Sequence, residues 1–108
     1  MSEHVVAKFL AEFKGIVETD GLHIIPRPSH NKTILELGLT RSMVKEMILN
    51  LTVKHYNKGP MEDRDYPGTG DLYVFKTVID GVTLYIKLKI DISDKSGKQI
   101  AKCLSFHA

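Results

Sequence analysis

Six residues in the last third of the chain carry the side chains that metal-free phosphodiester chemistry uses: Lys76, Tyr85, Lys87, Lys89, Ser105 and His107. From Val82 to Ile92 the chain alternates without a break. Val82, Leu84, Ile86, Leu88, Ile90 and Ile92 point one way, toward a core, while Thr83, Tyr85, Lys87, Lys89 and Asp91 point the other. Asp80-Gly81 reads as a two-residue hairpin turn, which sets Phe75 opposite Ile86 and Lys76 opposite Tyr85. In the strand that follows, Ile100, Leu104 and Phe106 are expected on the core face. Ala101, Cys103, Ser105 and His107 are then expected on the other, with Ser105 or His107 opposite Tyr85.

Such a face suits a phosphodiester. Lysines attract a phosphate backbone and displace its condensed counterions. Tyr85 can stack on a base or hydrogen-bond a phosphate oxygen. RNA is the natural substrate for a catalytic version, because its 2′-hydroxyl is a nucleophile already beside the phosphorus. The protein then supplies a base for that hydroxyl, cations for the charge that develops on phosphorus, and an acid for the leaving 5′-oxygen. Imidazole is the side chain suited to proton transfer near neutrality, which singles out His107, whereas a phenol or an ammonium transfers protons only where clustered cations lower its pKa. No metal or other cofactor is required. The same face also suits a module that binds RNA or protein without cutting it, and a solvated sheet face is polar with no function at all.

The elements that position this face follow from periodicity. Val5, Val6, Phe9, Leu10, Phe13, Ile16 and Val17 share one side of a helix, with Ser2 as N-cap and Asp20-Gly21 as the stop. Leu22 to Ile25 is a short extended piece closed by Pro26 and Pro28. Asn31 is expected to cap a short helix carrying Ile34, Leu35 and Leu37 and ended by Gly38. Thr40 caps the next, with Met43, Val44, Met47, Ile48 and Leu51 toward the core. Thr52 opens a last helical turn or two that Gly59-Pro60 terminates, and residues 59–71 read as one long loop. Three strands follow, over 72–79, 82–92 and 98–107, with a turn at 93–97. The expected architecture is α+β: an N-terminal helical layer on one face of an antiparallel meander, one domain over 1–108.

Composition narrows the classes. The chain has 108 residues, 43% hydrophobic and 26% charged, which fits one globular domain and argues against wholesale disorder. Its single cysteine has no partner for an internal disulfide or a Cys-based zinc site. No apolar run approaches the roughly 18 residues that span a membrane, and Met1-Ser2-Glu3-His4 is no signal-peptide start, so a cytoplasmic protein is expected. The net charge of +2 is unevenly spread. From Lys76 onward six lysines face three aspartates, against nine basic and ten acidic residues before it, which favours a polyanionic ligand near the C-terminal third.

Other candidates are weaker. Glu62-Asp63-Arg64-Asp65 matches no ion-binding loop and is expected to be a solvated charge cluster. His4, His23, His30 and His55 lack ligand spacing and are expected at the surface or in caps. Cys103 has no identifiable base beside it. Gly68-Thr69-Gly70 is too short for a phosphate loop. Lys58 stands apart: at the end of the last expected helix it favours the helix dipole, yet it borders the long loop within reach of the sheet face.

The order and spacing of several pieces resemble the MqsR-type toxins: Leu37-Gly38-Leu39, Ile48-Leu49-Asn50-Leu51-Thr52, Tyr56-Asn57-Lys58, Gly81 to Ile90 with its Tyr85-Ile86-Lys87, and Cys103-Leu104-Ser105-Phe106-His107. The resemblance covers most of residues 34–107. It implies a RelE-like α+β fold and the toxin of a bacterial type II toxin–antitoxin system. The activity implied is an endoribonuclease that cleaves messenger RNA without a metal and is silenced by a cognate antitoxin; whether the ribosome takes part stays open. Carried onto this chain, the family's active-site lysine falls on Lys58, its strand tyrosine on Tyr85 and the lysine after it on Lys87. The basic residue ending the last strand, a lysine in the best-known member, is His107 here. That member also has a functional glutamine in the first sheet strand, where this chain reads Tyr73-Val74-Phe75-Lys76 and Lys76 is the one obvious substitute. Tyr85, His107 and Lys58 are thus the expected catalytic residues, with Lys76, Lys87, Lys89 and Ser105 holding substrate.

Overall fold

The computed structural model describes residues 3–92 and 96–108. Ser2, expected to cap the first helix, and residues 93–95 of the expected second turn lie outside them. The chain runs through helix α1 (Glu3–Asp20), strand β1 (Leu22–Ile24), helices α2 (Pro28–Glu36) and α3 (Arg41–Leu49), and a single 3-10 turn at Val53–His55. Strands β2 (Tyr56–Glu62), β3 (Asp71–Ile79), β4 (Val82–Ile92) and β5 (Gln99–His107) follow.

Helix α1 buries Val6, Phe9, Leu10, Phe13 and Val17, a three- and four-residue repeat that puts all five on one side. Phe9 stacks on Tyr73 of β3 with ring centroids 3.9 Å apart, fixing the helix to the sheet. Helix α2 starts earlier than expected. Pro28 occupies its first turn after an extended Arg27, so Asn31 lies inside the helix rather than capping it. Proline's fixed φ and missing N–H make it a helix starter, which a reading of Pro28 as a breaker overlooks. Thr40 does cap α3, accepting from the Met43 N–H at 3.1 Å. Val44 and Ile48 face the core, but Met43 is half-exposed.

Thr52 caps only the 3-10 turn, where the His55 ring returns the favour by accepting from the Thr52 N–H at 2.9 Å. The helix expected before Gly59-Pro60 is instead the start of β2, and the long loop shrinks to residues 63–70. The pairing of β2 with β3 is irregular on both sides of Lys58, with Tyr56 opposite Phe75, Lys58 opposite Val74 and Met61 opposite Leu72. A broken register erases the alternation that reveals a strand. Gly59 sits at the break with φ +120°, where a Cβ would lie 2.6 Å from the Leu72 carbonyl oxygen; no other residue fits.

The sheet has five strands in the order β1-β5-β4-β3-β2, antiparallel except for β1, which lies parallel to β5. This is an α+β fold with a mixed sheet. The β3–β4 hairpin has the expected register, with Ile79 opposite Val82, Phe75 opposite Ile86 and Lys76 opposite Tyr85. Asp80 and Gly81 both take positive φ, +50° and +77°, as a primed two-residue turn requires. Strand β5 departs from expectation. His107 pairs with Tyr85 and Ser105 with Lys87, but Leu88 pairs with Cys103, leaving Leu104 as the extra residue of a bulge. The Cys103 Sγ donates to the Ser105 carbonyl at 3.4 Å across it. The bulge inverts the parity of the strand on its N-terminal side. Ala101 and Cys103 therefore enter the core beside Phe106, and Ile100 and Leu104 turn to the opposite face.

The core lies between α1, α3 and one sheet face. Phe13, Ile48, Phe75, Leu84, Ile86, Leu88 and Phe106 are fully enclosed there. Ile92, expected in the core at the end of the alternation, is 55% exposed. Replacing Phe75 by Ala should cost about 3–5 kcal/mol in denaturant unfolding through the cavity it leaves. Ile92→Ala, at the exposed strand end, should change stability by no more than about 0.5 kcal/mol.

Candidate functional site

The sheet face away from the helices carries the candidate side chains. Pairing across four strands sets Lys58 (β2), Val74 (β3), Lys87 (β4) and Ser105 (β5) in one row, and Lys76, Tyr85 and His107 in the next. Paired residues share a face. The first row, with Asn57, Tyr85 and His107, lines a shallow cleft of about 210 Å³. Buried Val74 forms its floor. Lys58 and Lys87 stand on either side of it, and among the described residues neither ammonium has an ion-pair partner. The rings of Tyr85 and His107 are 6.3 Å apart and tilted by 35°. His107 Nδ1 is 3.0 Å from the Ala108 carbonyl oxygen, so a neutral ring donating there keeps Nε2 as an acceptor.

Five of the expected site residues, Lys58, Tyr85, Lys87, Ser105 and His107, therefore meet at one cleft. Lys58 arrives from a strand rather than from a helix end. Lys76 flanks Tyr85 on the same face but stands outside the cleft. Asn57 and Val74 are additions the sequence reading missed. Strand β2, which carries Asn57, had no visible alternation to announce it, whereas Val74 follows from the hairpin register, which sets it opposite Lys87.

Lys89 is a correction. Expected as an exposed substrate contact, it is 1% exposed. Its Nζ donates to Asp63 Oδ2 at 2.6 Å and to Thr69 Oγ1 at 2.6 Å, with Asp91 Oδ2 at 3.7 Å. Asp63, expected in a solvated charge cluster, is buried as its partner. The same carboxylate accepts from the N–H groups of Asp65 and Tyr66 at 3.0 and 3.2 Å, so one side chain folds the loop and holds it on the sheet. Gly70 lets the loop rejoin the sheet: with φ +137°, a Cβ there would lie 2.3 Å from the Ile90 carbonyl oxygen.

The electrostatics follow from these contacts. The Lys89 hydrogen bond holds the Asp63 carboxyl below its ordinary pKa, against the opposing pull of burial. Burial also pulls Asp91 upward, but the Lys102 hydrogen bond at 2.7 Å, the Ile92 N–H and the charges of Lys102 and Lys89 together leave it lowered. Cys103, in the core rather than on the polar face, is pushed up to about 12 by burial and is no nucleophile.

His30 is also corrected from surface to interior. It is 1% exposed, and burial lowers its pKa while the Ile25 and Leu104 backbones pull less strongly the other way. His55, by contrast, is the cap residue it was expected to be. Among the described residues no three His, Cys, Asp or Glu side chains cluster to hold a metal ion.

No family model, curated protein sequence or solved structure matches the chain significantly.

The buried pair makes a pH-dependent prediction. Because the folded-state pKa of Asp63 is depressed, its contribution is present above the ordinary carboxylate pKa of about 4 and is lost as pH falls through the lowered value. Lys89→Met alone, which strands the carboxylate, should destabilise by about 3–5 kcal/mol at neutral pH. Lys89→Met with Asp63→Asn should recover part of that loss and flatten the decline of stability below pH 4, measured by urea unfolding at several pH values.

Proposed function

We propose that this protein is the toxin of a type II toxin–antitoxin system: a cytoplasmic, metal-independent endoribonuclease of MqsR type with a RelE-like fold. It cleaves single-stranded messenger RNA by attack of the 2′-hydroxyl and has an antitoxin as its partner. The observation that carries this reading is the meeting of Tyr85, His107, Lys58 and Lys87 around one cleft, from three different strands. Family resemblance and strand register select the tyrosine, the second lysine and the histidine independently. Over a buried floor this face gathers an imidazole, a phenol and two ammonium groups that, among the described residues, have no ion-pair partner, which favours this reading over a merely solvated face.

In the reaction, the scissile phosphate lies between Lys58 and Lys87, whose charges offset the negative charge building on its oxygens. Ser105, in the same row, donates its hydroxyl to a phosphate oxygen. The 2′-oxygen bonds to phosphorus as the bond to the 5′-oxygen breaks. The 2′-hydroxyl proton passes to a base in the cleft and the 5′-oxygen takes one from an acid, leaving a 2′,3′-cyclic phosphate and a 5′-hydroxyl. His107 and Tyr85 are the two groups for these transfers, and the imidazole suits the base through its unengaged Nε2. Lys76, beside Tyr85 but outside the cleft, is placed to meet the backbone of a neighbouring nucleotide. Lys89 is held by Asp63 and Thr69 and enters no step of this reaction.

The test is incubation of the purified protein with a long single-stranded RNA in excess chelator, mapping the product ends. Wild type should cut and leave cyclic phosphate. Tyr85→Phe and His107→Ala should fold normally and cut about a hundred- to ten-thousand-fold more slowly. RNA that is bound but left whole, with ribosomes added as well, would make this a binding module instead. Wild-type rates in both variants would move the chemistry off this cleft.

A further inference from the structure

Along β4 the small cleft continues, past Lys87, into a larger one of about 630 Å³ on the same sheet face. Lys87 lines both. Their sizes differ in kind. Sites that enclose small organic ligands run from about 300 to 1,000 Å³, so the larger cleft falls inside that range and the smaller below it. The smaller has room for a phosphodiester; the larger has room for a heterocycle. Its lining includes the apolar Leu72, Ile100 and Leu104, with Tyr66 from the loop over 63–70 and Arg27 from the segment after β1. The β5 bulge is what divides the two, because it sends consecutive residues to one face: Leu104 into the larger cleft and Ser105 into the smaller.

The charges in the larger cleft separate into engaged and free. Lys89 and Lys102 are paired with Asp63 and Asp91. Among the described residues the side chains of Arg27 and Asp65 have no hydrogen-bond or ion-pair partner. The unpaired Asp65 carboxylate and the apolar lining disfavour a second phosphate here. The cleft offers an apolar surface, an exposed tyrosine ring, a free donor group and a free acceptor group. Single-stranded RNA is recognised in that way, by stacking on aromatic rings and hydrogen bonding at base edges.

We propose that this cleft holds a nucleobase flanking the scissile phosphate, with Tyr66 and Leu104 against its ring and Arg27 and Asp65 at its edges. The proposal rests on the RNA reading of the smaller cleft. A step from Lys87 to Lys89 along β4 is about 7 Å, so the two sites lie within one nucleotide's reach. Arg27 serves acceptor atoms of the base and Asp65 its N–H donors.

The test uses a short RNA made uncleavable by 2′-deoxy substitution, with an abasic site introduced at each position in turn, and reads affinity by fluorescence anisotropy. One abasic position should weaken binding to wild type about tenfold, in the range of one lost base–aromatic stack. Tyr66 and Arg27 have exposed side chains, so their alanine variants should melt like wild type; in Tyr66→Ala that position should cost almost nothing further, and in Arg27→Ala less than in wild type. In Lys58→Ala overall affinity should fall while the tenfold abasic penalty remains. A penalty undiminished in the Arg27 and Tyr66 variants, or absent at every position in wild type, would overturn the base site while leaving RNA binding at the smaller cleft standing. No binding of the intact RNA by wild type would overturn both.

Discussion

Lys89 is a charged group with almost no exposure, on a sheet, and the rest of the distal face is arranged around keeping it satisfied. An isolated buried ammonium costs several kcal/mol, so it persists only where oxygens close around it. Asp63, Thr69 and Asp91 supply them, and two of the three come from the loop between β2 and β3. That loop is therefore part of the sheet's surface. Asp63 ties its first turn through two backbone N–H groups, and Gly70 lets its end graze the β4 backbone. Roofing one half of the face leaves the other half open, and the open half is where Lys58, Tyr85, Lys87 and His107 stand.

The two faces of the sheet answer to different demands. The inner one is fixed by volume: Phe9, Phe13, Phe75 and Phe106 with the aliphatic residues of β4 leave no freedom in register, because a slip of one residue would turn every apolar side chain to water. The outer face inherits that register. Once Phe75 is opposite Ile86, Lys76 must lie beside Tyr85, and once Phe106 is opposite Ile86, His107 must lie beside Tyr85 as well. The positions of the candidate site's side chains are thus set by packing on the side they do not touch.

This explains which parts were legible in the sequence. The Asp80-Gly81 turn and eleven residues of clean alternation in β4 are local signals, and they carry the hairpin register and the placement of Tyr85 and Lys87 without error. Alternation fails where the cause is not local. Lys89 sits in phase with Lys87, and nothing adjacent to it says that an aspartate 26 residues earlier will cover it. Strand β2 pairs with two breaks in seven residues, so it has no period to detect. The bulge in β5 is a property of a strand and its neighbour together. Reading β5 alone places Phe106, Ser105 and His107 correctly and Ile100, Ala101, Cys103 and Leu104 on the wrong sides, because parity is conserved only up to the inserted residue.

Leu104 has a consequence for how such a surface can change over generations. Cys103 is opposite Leu88 and Ser105 opposite Lys87, so with Leu104 deleted the two strands would form an unbroken ladder and every other side chain of β5 would keep its face. Outside the bulge pair Leu104 and Ser105, the loss of one residue from the interior of that strand would swap core for solvent. Strand β5 therefore contains a hinge of length tolerance, between the row that would perform the chemistry and the apolar wall beside it. Lineages could lengthen or shorten the strand there, reshaping the apolar wall while inheriting the row of Lys87, Tyr85 and His107 intact.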